Sequence, residues 1–146
     1  MKQAKGFTLL EMLVVLGIVG LLLAIVPISL SGGMDGARIK TAVRELAADL
    51  RYARSHAISS QKDQALVLNV ESGVYSIDKK KHQLSIPDET SIKIKTASSE
   101  QVSDNEGAIR FFADGSSTGG LITIKHTPYE FFIDVNWLTG KVTITP

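Results

Sequence analysis

The amino-acid sequence predicts an α+β fold, helical at the amino end and antiparallel β-sheet after it. Three observations carry the prediction: an uninterrupted apolar run near the amino terminus, one apolar stripe of helical period behind it, and a change to a period of two beyond Gln61. The length of 146 residues suits one domain of ordinary size and leaves no room for two well-buried cores. There is no cysteine, which excludes disulfides, thiol catalysis and Cys-based zinc sites. Sixteen basic against fifteen acidic residues give a net charge of +1, too even a balance for wrapping nucleic acid. Hydrophobic residues make up 44%, and their excess is concentrated at the amino end.

That end comes first. From Met12 to Ile28 the chain reads MLVVLGIVGLLLAIVPI, and the wider stretch from Phe7 to Leu30 is broken only by Thr8, Glu11 and Ser29. At about 1.5 Å per helical residue, such a stretch reaches across a hydrocarbon core of about 30 Å. Lys2 and Lys5 precede it, so the positive-inside bias keeps this end cytoplasmic and sends everything after Leu30 across the membrane. A buried core helix does not call for so long an apolar run. A secretory signal peptide cut near Ser29 or Ser31 fits the charge and the apolar core. Glu11 argues against it: an acid within the apolar stretch costs about 2.5–3.5 kcal/mol at mid-membrane, a penalty that mere export does not require.

Lys5-Gly6-Phe7-Thr8-Leu9-Leu10-Glu11, followed by Met12-Leu13-Val14-Val15-Leu16, resembles the prepilin signature of type IV pilins and type II secretion pseudopilins. The resemblance implies that residues 1–6 are a leader, cut after Gly6 by a membrane prepilin peptidase that also methylates the new amino terminus at Phe7. It implies that residues 7–30 are kept as a transmembrane and filament-core helix. Glu11 then becomes the fifth mature residue, whose carboxylate meets the amino terminus of a neighbouring subunit during filament assembly. Pairing the Phe7 ammonium with the Glu11 carboxylate lowers the cost of both charges in lipid. Loss of Lys2 and Lys5 with the leader leaves 14 basic against 15 acidic residues, a mature charge of −1. Gly17 and Gly20 provide a small-residue spacing for helix approach, or are ordinary membrane-helix glycines. Pro27, Ser29, Ser31, Gly32, Gly33 and Gly36 concentrate weak helix formers, which reads as a hinge before residues 31–146, the periplasmic domain.

The second helix is expected over about 36–60, capped near Asp35, because Ile39, Val43, Leu46, Leu50, Ala53 and Ala57 recur at steps of four and three. Arg38, Lys40, Arg44, Glu45, Arg51 and Arg54 fall outside the stripe and read as a solvated face, with lipid headgroups the alternative. The resemblance implies continuity with the first helix in one long spine. The β region is expected over about 65–146, with strands at Ala65–Val70, Gly73–Ile77, Leu84–Ile86, Thr90–Thr96, Ala108–Phe112, Leu121–His126, Glu130–Val135 and Lys141–Ile144. Lys79-Lys80-Lys81-His82 reads as a solvated turn, and the polar stretch Ala97–Gly107 as a mobile loop.

Covalent chemistry finds little support. Gly115-Ser116-Ser117-Thr118-Gly119 matches a nucleophile elbow by letter, with His126 and Asp134 as partners for Ser117, but the β-branched Leu121-Ile-Thr-Ile that follows is no helix, and the order Ser, His, Asp departs from the usual one. No lysine follows these glycines to make a phosphate loop. His56, His82 and His126 lack metal-ligand spacing, and Asp104, Asn105 and Glu106 lack that of a calcium loop. The expectation is no enzyme, no cofactor and no metal.

Ile109–Ile124 (IRFFADGSSTGGLITI), Ile133-Asp-Val-Asn-Trp-Leu-Thr-Gly-Lys-Val and the helical Arg51-Tyr-Ala-Arg-Ser-His-Ala resemble minor pseudopilins of the GspH type and their FimT/FimU-type pilus relatives. Turn chemistry at Asp114-Gly115 and Thr139-Gly140 also explains part of this pattern. The resemblance implies a pilin-like fold and a structural subunit of the periplasmic pseudopilus of a type II secretion system, anchored by a single pass in the bacterial inner membrane. Its implied partners are other minor pseudopilins, the major pseudopilin, the prepilin peptidase/methylase and the inner-membrane assembly platform. A FimT/FimU-type minor pilin of a type IV pilus is the alternative, and a periplasmic enzyme or binding protein behind a signal peptide is a remote one. Some FimT/FimU-type relatives bind DNA; the mature charge argues against it here.

Overall fold

The structure, a computed structural model, describes residues 7–25 and 31–146. Gly6, Pro27 and Ser29 lie outside the described residues, and with them the core of the expected hinge. The chain divides into two units, Met1–Met34 and Asp35–Pro146. In the first, helix α1 runs over Leu9–Ile25. Helix α2 runs over Ser31–Ser60, starting five residues before the expected 36 and carrying Gly32, Gly33 and Gly36 as helical residues. Gly36 has a packing reason, since a Cβ there would meet the Tyr129 ring at 2.7 Å. Each of these glycines lowers helix propensity by about 1 kcal/mol without removing a donor or acceptor from the hydrogen-bond ladder. At the other end, Gln61 is left-handed (φ 53°) and the Lys62 amide donates to Ala57 O at 3.3 Å, closing the helix.

The second unit holds nine strands among the described residues, all paired antiparallel in two sheets. Strands β1 (Gln64–Asn69), β2 (Val74–Ile77), β3 (Lys80–Gln83), β5 (Gln101–Ser103) and β6 (Glu106–Phe111) form one, in the order β3-β2-β1-β6-β5. Strands β4 (Ser91–Thr96), β7 (Gly120–His126), β8 (Tyr129–Val135) and β9 (Val142–Thr145) form the other, in the order β4-β7-β8-β9. The entire expected stripe on α2, Ile39 to Ala57, is at most 1% exposed, and Ala42 and Ala47 widen it. Leu66, Leu68, Ile109 and Phe111 from one sheet and Ile122, Ile124 and Ile133 from the other complete the core, each fully buried. At about 25 cal/mol per Å² of apolar surface, burial of this kind is what holds a domain without cysteines.

Four expectations are corrected. Lys80–Gln83 is an edge strand, its side chains exposed but its backbone paired with β2 (Tyr75 opposite His82). Leu84–Ile86 is not a strand; Leu84 is a core residue whose amide donates to Gly73 O. Within Ala97–Gly107 a 3₁₀ turn (Ser98–Glu100) and β5 are regular structure: β5 pairs with β6, and Glu100, 8% exposed, meets Arg110 Nε at 2.9 Å. Arg51 and Arg54 are not simply solvated: Arg51 Nη2 donates to Val142 O at 3.2 Å and Arg54 Nε to Gly115 O at 3.0 Å.

Candidate functional site

Of the candidate residues, Glu11 sits on α1, Phe7 precedes it and Gly6 lies outside the described residues. The residues of α1 are apolar apart from Glu11, and every residue of the chain from Phe7 to Leu22 is exposed, Leu9 at 79% and Leu16 at 68%. A helix apolar on all sides is a helix that some other apolar phase surrounds. Among the described residues neither Gly17 nor Gly20 has an atom within 4 Å of where a Cβ would stand, so no contact between them calls for glycine there. No helix among the described residues is long and apolar enough to cross a membrane; α1 as described has 17 residues, and residues 26–30 of the expected stretch lie outside them.

Thr8 is missing from the sequence-derived candidates, yet it starts this helix. Its Oγ1 accepts the Glu11 amide at 3.3 Å, and its carbonyl accepts the Glu11 and Met12 amides at 3.1 and 3.3 Å. Thr8-x-x-Glu11 before an apolar run is the capping-box pattern, a signal present in the sequence. Glu11 therefore occupies the first turn of α1, where the partial positive charge of the helix amino end favours a carboxylate.

The carboxy-terminal signature builds a second ordered element. The loop after β6 and the loop between β8 and β9 are tied together: Ser117 N donates to Trp137 O at 2.8 Å, and Ser117 Oγ donates to Asn136 O at 3.1 Å while accepting Gly119 N at 3.0 Å. Gly115 (φ 86°) and Gly140 (φ 61°) take left-handed conformations, and a Cβ on Gly140 would collide with Gly115 O and Arg54. Asp114 accepts the Ser116 hydroxyl at 2.6 Å and its amide at 2.9 Å, which hold the carboxyl below its ordinary range. Asn136 Oδ1 collects the Leu138 and Thr139 amides in the facing turn.

This geometry dismantles the triad. The Ser117 hydroxyl is 5% exposed and committed to backbone partners. His126 Nδ1 lies 3.4 Å from Thr90 Oγ1, and Asp134 stands opposite Leu121 at the far end of the β7–β8 ladder. Among the described residues no three His, Asp or Glu side chains gather as a metal site.

A family model described as Type II transport protein GspH matches residues 42–139. The chain belongs to the GspH family. A second model, the prokaryotic N-terminal methylation motif, matches residues 1–27. The chain is 34% identical over 145 residues to type II secretion system protein H of Xanthomonas campestris pv. campestris, covering 99% of this chain and 85% of that one. In fold it resembles the type IV minor pilin FimU of Pseudomonas aeruginosa (TM-score 0.58, 19% identity, 73% of this chain, 87% of that one). It also resembles the minor pseudopilin EpsH of the type 2 secretion system of Vibrio cholerae (TM-score 0.55, 11% identity, 73% and 94%). The α+β architecture of this chain matches the pilin-like folds of FimU and EpsH. The GspH-family chain is a minor pseudopilin of type II secretion, a structural subunit and not an enzyme. Its methylation motif and family point to a membrane-anchored periplasmic pseudopilin that meets other pseudopilins.

Proposed function

We propose that this pseudopilin is stored in the inner membrane by residues 7–30, amino end cytoplasmic and residues 31–146 periplasmic, and enters the pseudopilus through its first helix. The prepilin peptidase cuts after Gly6 and methylates Phe7. The assembly platform then draws the helix into the filament, where Glu11 pairs with the amino terminus of a neighbouring pseudopilin. The observation that carries this reading is α1 itself: apolar, exposed on every described side chain and bearing Glu11 as its one acid. Such a helix has two environments open to it, lipid and a bundle of like helices, and a lone acid at its start suits the second.

Glu11 also has a local use, beside the Thr8 cap and about one helical turn from Phe7 at ~6 Å along the axis. One substitution separates the roles. Glu11→Val should insert in the membrane at least as well as the parent and yet fail to enter the filament or support secretion. Normal assembly of that variant would reduce Glu11 to a partner of Phe7 and Thr8. Intact-mass measurement should show a product beginning at methylated Phe7, and Gly6→Leu should remain uncut. The likeness to FimU is one of fold; neighbouring genes are expected to encode secretion components and not those of a type IV pilus.

A further inference from the structure

A ligand-sized groove of about 450 Å³ opens in the second unit between residues 36–44 of α2 and the end of the second sheet. Gly36, Val43, Tyr129, Phe131, Ile144 and Pro146 line it, and Lys40 and Arg44, one helical turn apart, stand over it. Phe131 and Ile144 belong to the face of the sheet that packs on the core, and here that face runs past the cover α2 provides. Val43 forms the floor at 1% exposure, whereas Lys40 and Arg44 are exposed. No Asp or Glu side chain lines the groove. Neither cation makes an ion pair among the described residues; the pairs present are Arg110–Glu100 and Lys125–Glu130.

Two uncommitted cations above an apolar trough match one ligand chemistry, an anionic head on a hydrocarbon body. We propose that this groove seats an anionic phospholipid, its phosphate against Lys40 and Arg44 and the upper part of an acyl chain against Val43, Phe131 and Ile144. The inference rests on the membrane-stored state proposed above, because that state places a lipid supply beside α2. Gly36 lies only six residues beyond Leu30, the end of the expected membrane stretch, so the chain tethers the groove to the bilayer surface. A free phosphate would use the cations but leave the trough open to water, and a zwitterionic lipid would fill the trough but bring the cation of its own headgroup beside Lys40 and Arg44. The seated lipid would brace the periplasmic part against the membrane before assembly.

The test is native mass spectrometry of the full chain in detergent, titrated with phosphatidylglycerol or with phosphatidylcholine of the same acyl chains. With two cations in contact, phosphatidylglycerol should bind about thirty-fold more tightly, and the doubly substituted Lys40→Gln, Arg44→Gln chain should lose that preference. Both residues are exposed, so the double variant keeps its core. Glycerol phosphate without acyl chains should not compete. Equal binding of the two lipids, an undiminished preference in the double variant, or competition by glycerol phosphate each overturns the proposal. A parallel flotation with vesicles keeps the two readings apart: a chain that floats but shows no lipid preference refutes the groove alone, and one that does not float refutes both.

Discussion

Gly140 is the residue on which the carboxy-terminal signature turns. Its φ of 61° is one that side chains with a Cβ adopt at a cost of about 1–2 kcal/mol, and the missing Cβ is also the space that Gly115 O and Arg54 fill. Gly140→Ala is therefore expected to destabilise the domain by about 2–4 kcal/mol in urea titrations, more than the ~1 kcal/mol expected when Arg54→Lys removes a single donor to Gly115 O. A residue of the opposite kind is Tyr75, buried at 4% exposure with its hydroxyl donating to Asp49 at 2.5 Å. Burial first, then the hydrogen bond and charge of Asp49, push its phenol well above the ordinary value of about 10. The native state thus holds this proton more tightly than the unfolded chain. The associated stability is present below about pH 10 and is lost as pH rises above it. Tyr75→Phe should flatten that alkaline loss in chemical denaturation series between pH 9 and 11.5.

Among the elements, α2 was readable because one physical rule decides it: a stripe repeating at 3.6 residues against a core, found at 0–1% exposure from Ile39 to Ala57. The strands with alternating branched residues, such as Ile92 and Ile94 in β4, were readable for the matching reason. What escaped was structure held by backbone or by one pair. Strand β3 carries Lys-Lys-His-Gln and exists through ladder bonds to β2, which side-chain polarity does not advertise. The 97–107 segment was opaque because its order comes from pairing to β6 and from Glu100 meeting Arg110 ten residues on, neither of which its own polar sequence advertises. The Arg110 side chain remains 39% exposed, so solvent shares its charge. Glu100→Ala is accordingly expected to cost about 1–2 kcal/mol, less than the loss of a fully buried pair, and to raise amide exchange in β5 before the rest of the sheet. On α1, Glu11 stood out for its charge, whereas Thr8 needed the capping pattern to be noticed.

At the scale of the molecule, the core of α2 and both sheets lies within Asp35–Pro146, and the apolar α1 belongs to the other unit. A chain shortened to begin at Gly33 should therefore be a soluble monomer that unfolds in one cooperative transition with mixed helix and strand circular dichroism. Aggregation, or a transition spread over several steps, would show that the first unit supplies packing the second cannot do without.

The links across this domain also set an order of events for a chain that emerges amino end first. Arg51 reaches the Val142 carbonyl over 91 positions, and the central pairing of the first sheet joins Gln64 to Phe111. Helices form in about a microsecond, while synthesis proceeds at about 5–20 residues per second. The interval between the completion of α2 and the arrival of Val142 is thus on the order of 4–16 seconds. During it, Ile39, Leu46 and Leu50 gain their core partners in instalments, Leu66 and Leu68 first and Val142 last. Strand β9 is thus the last of the described strands to join its sheet, and the second unit cannot close until it does.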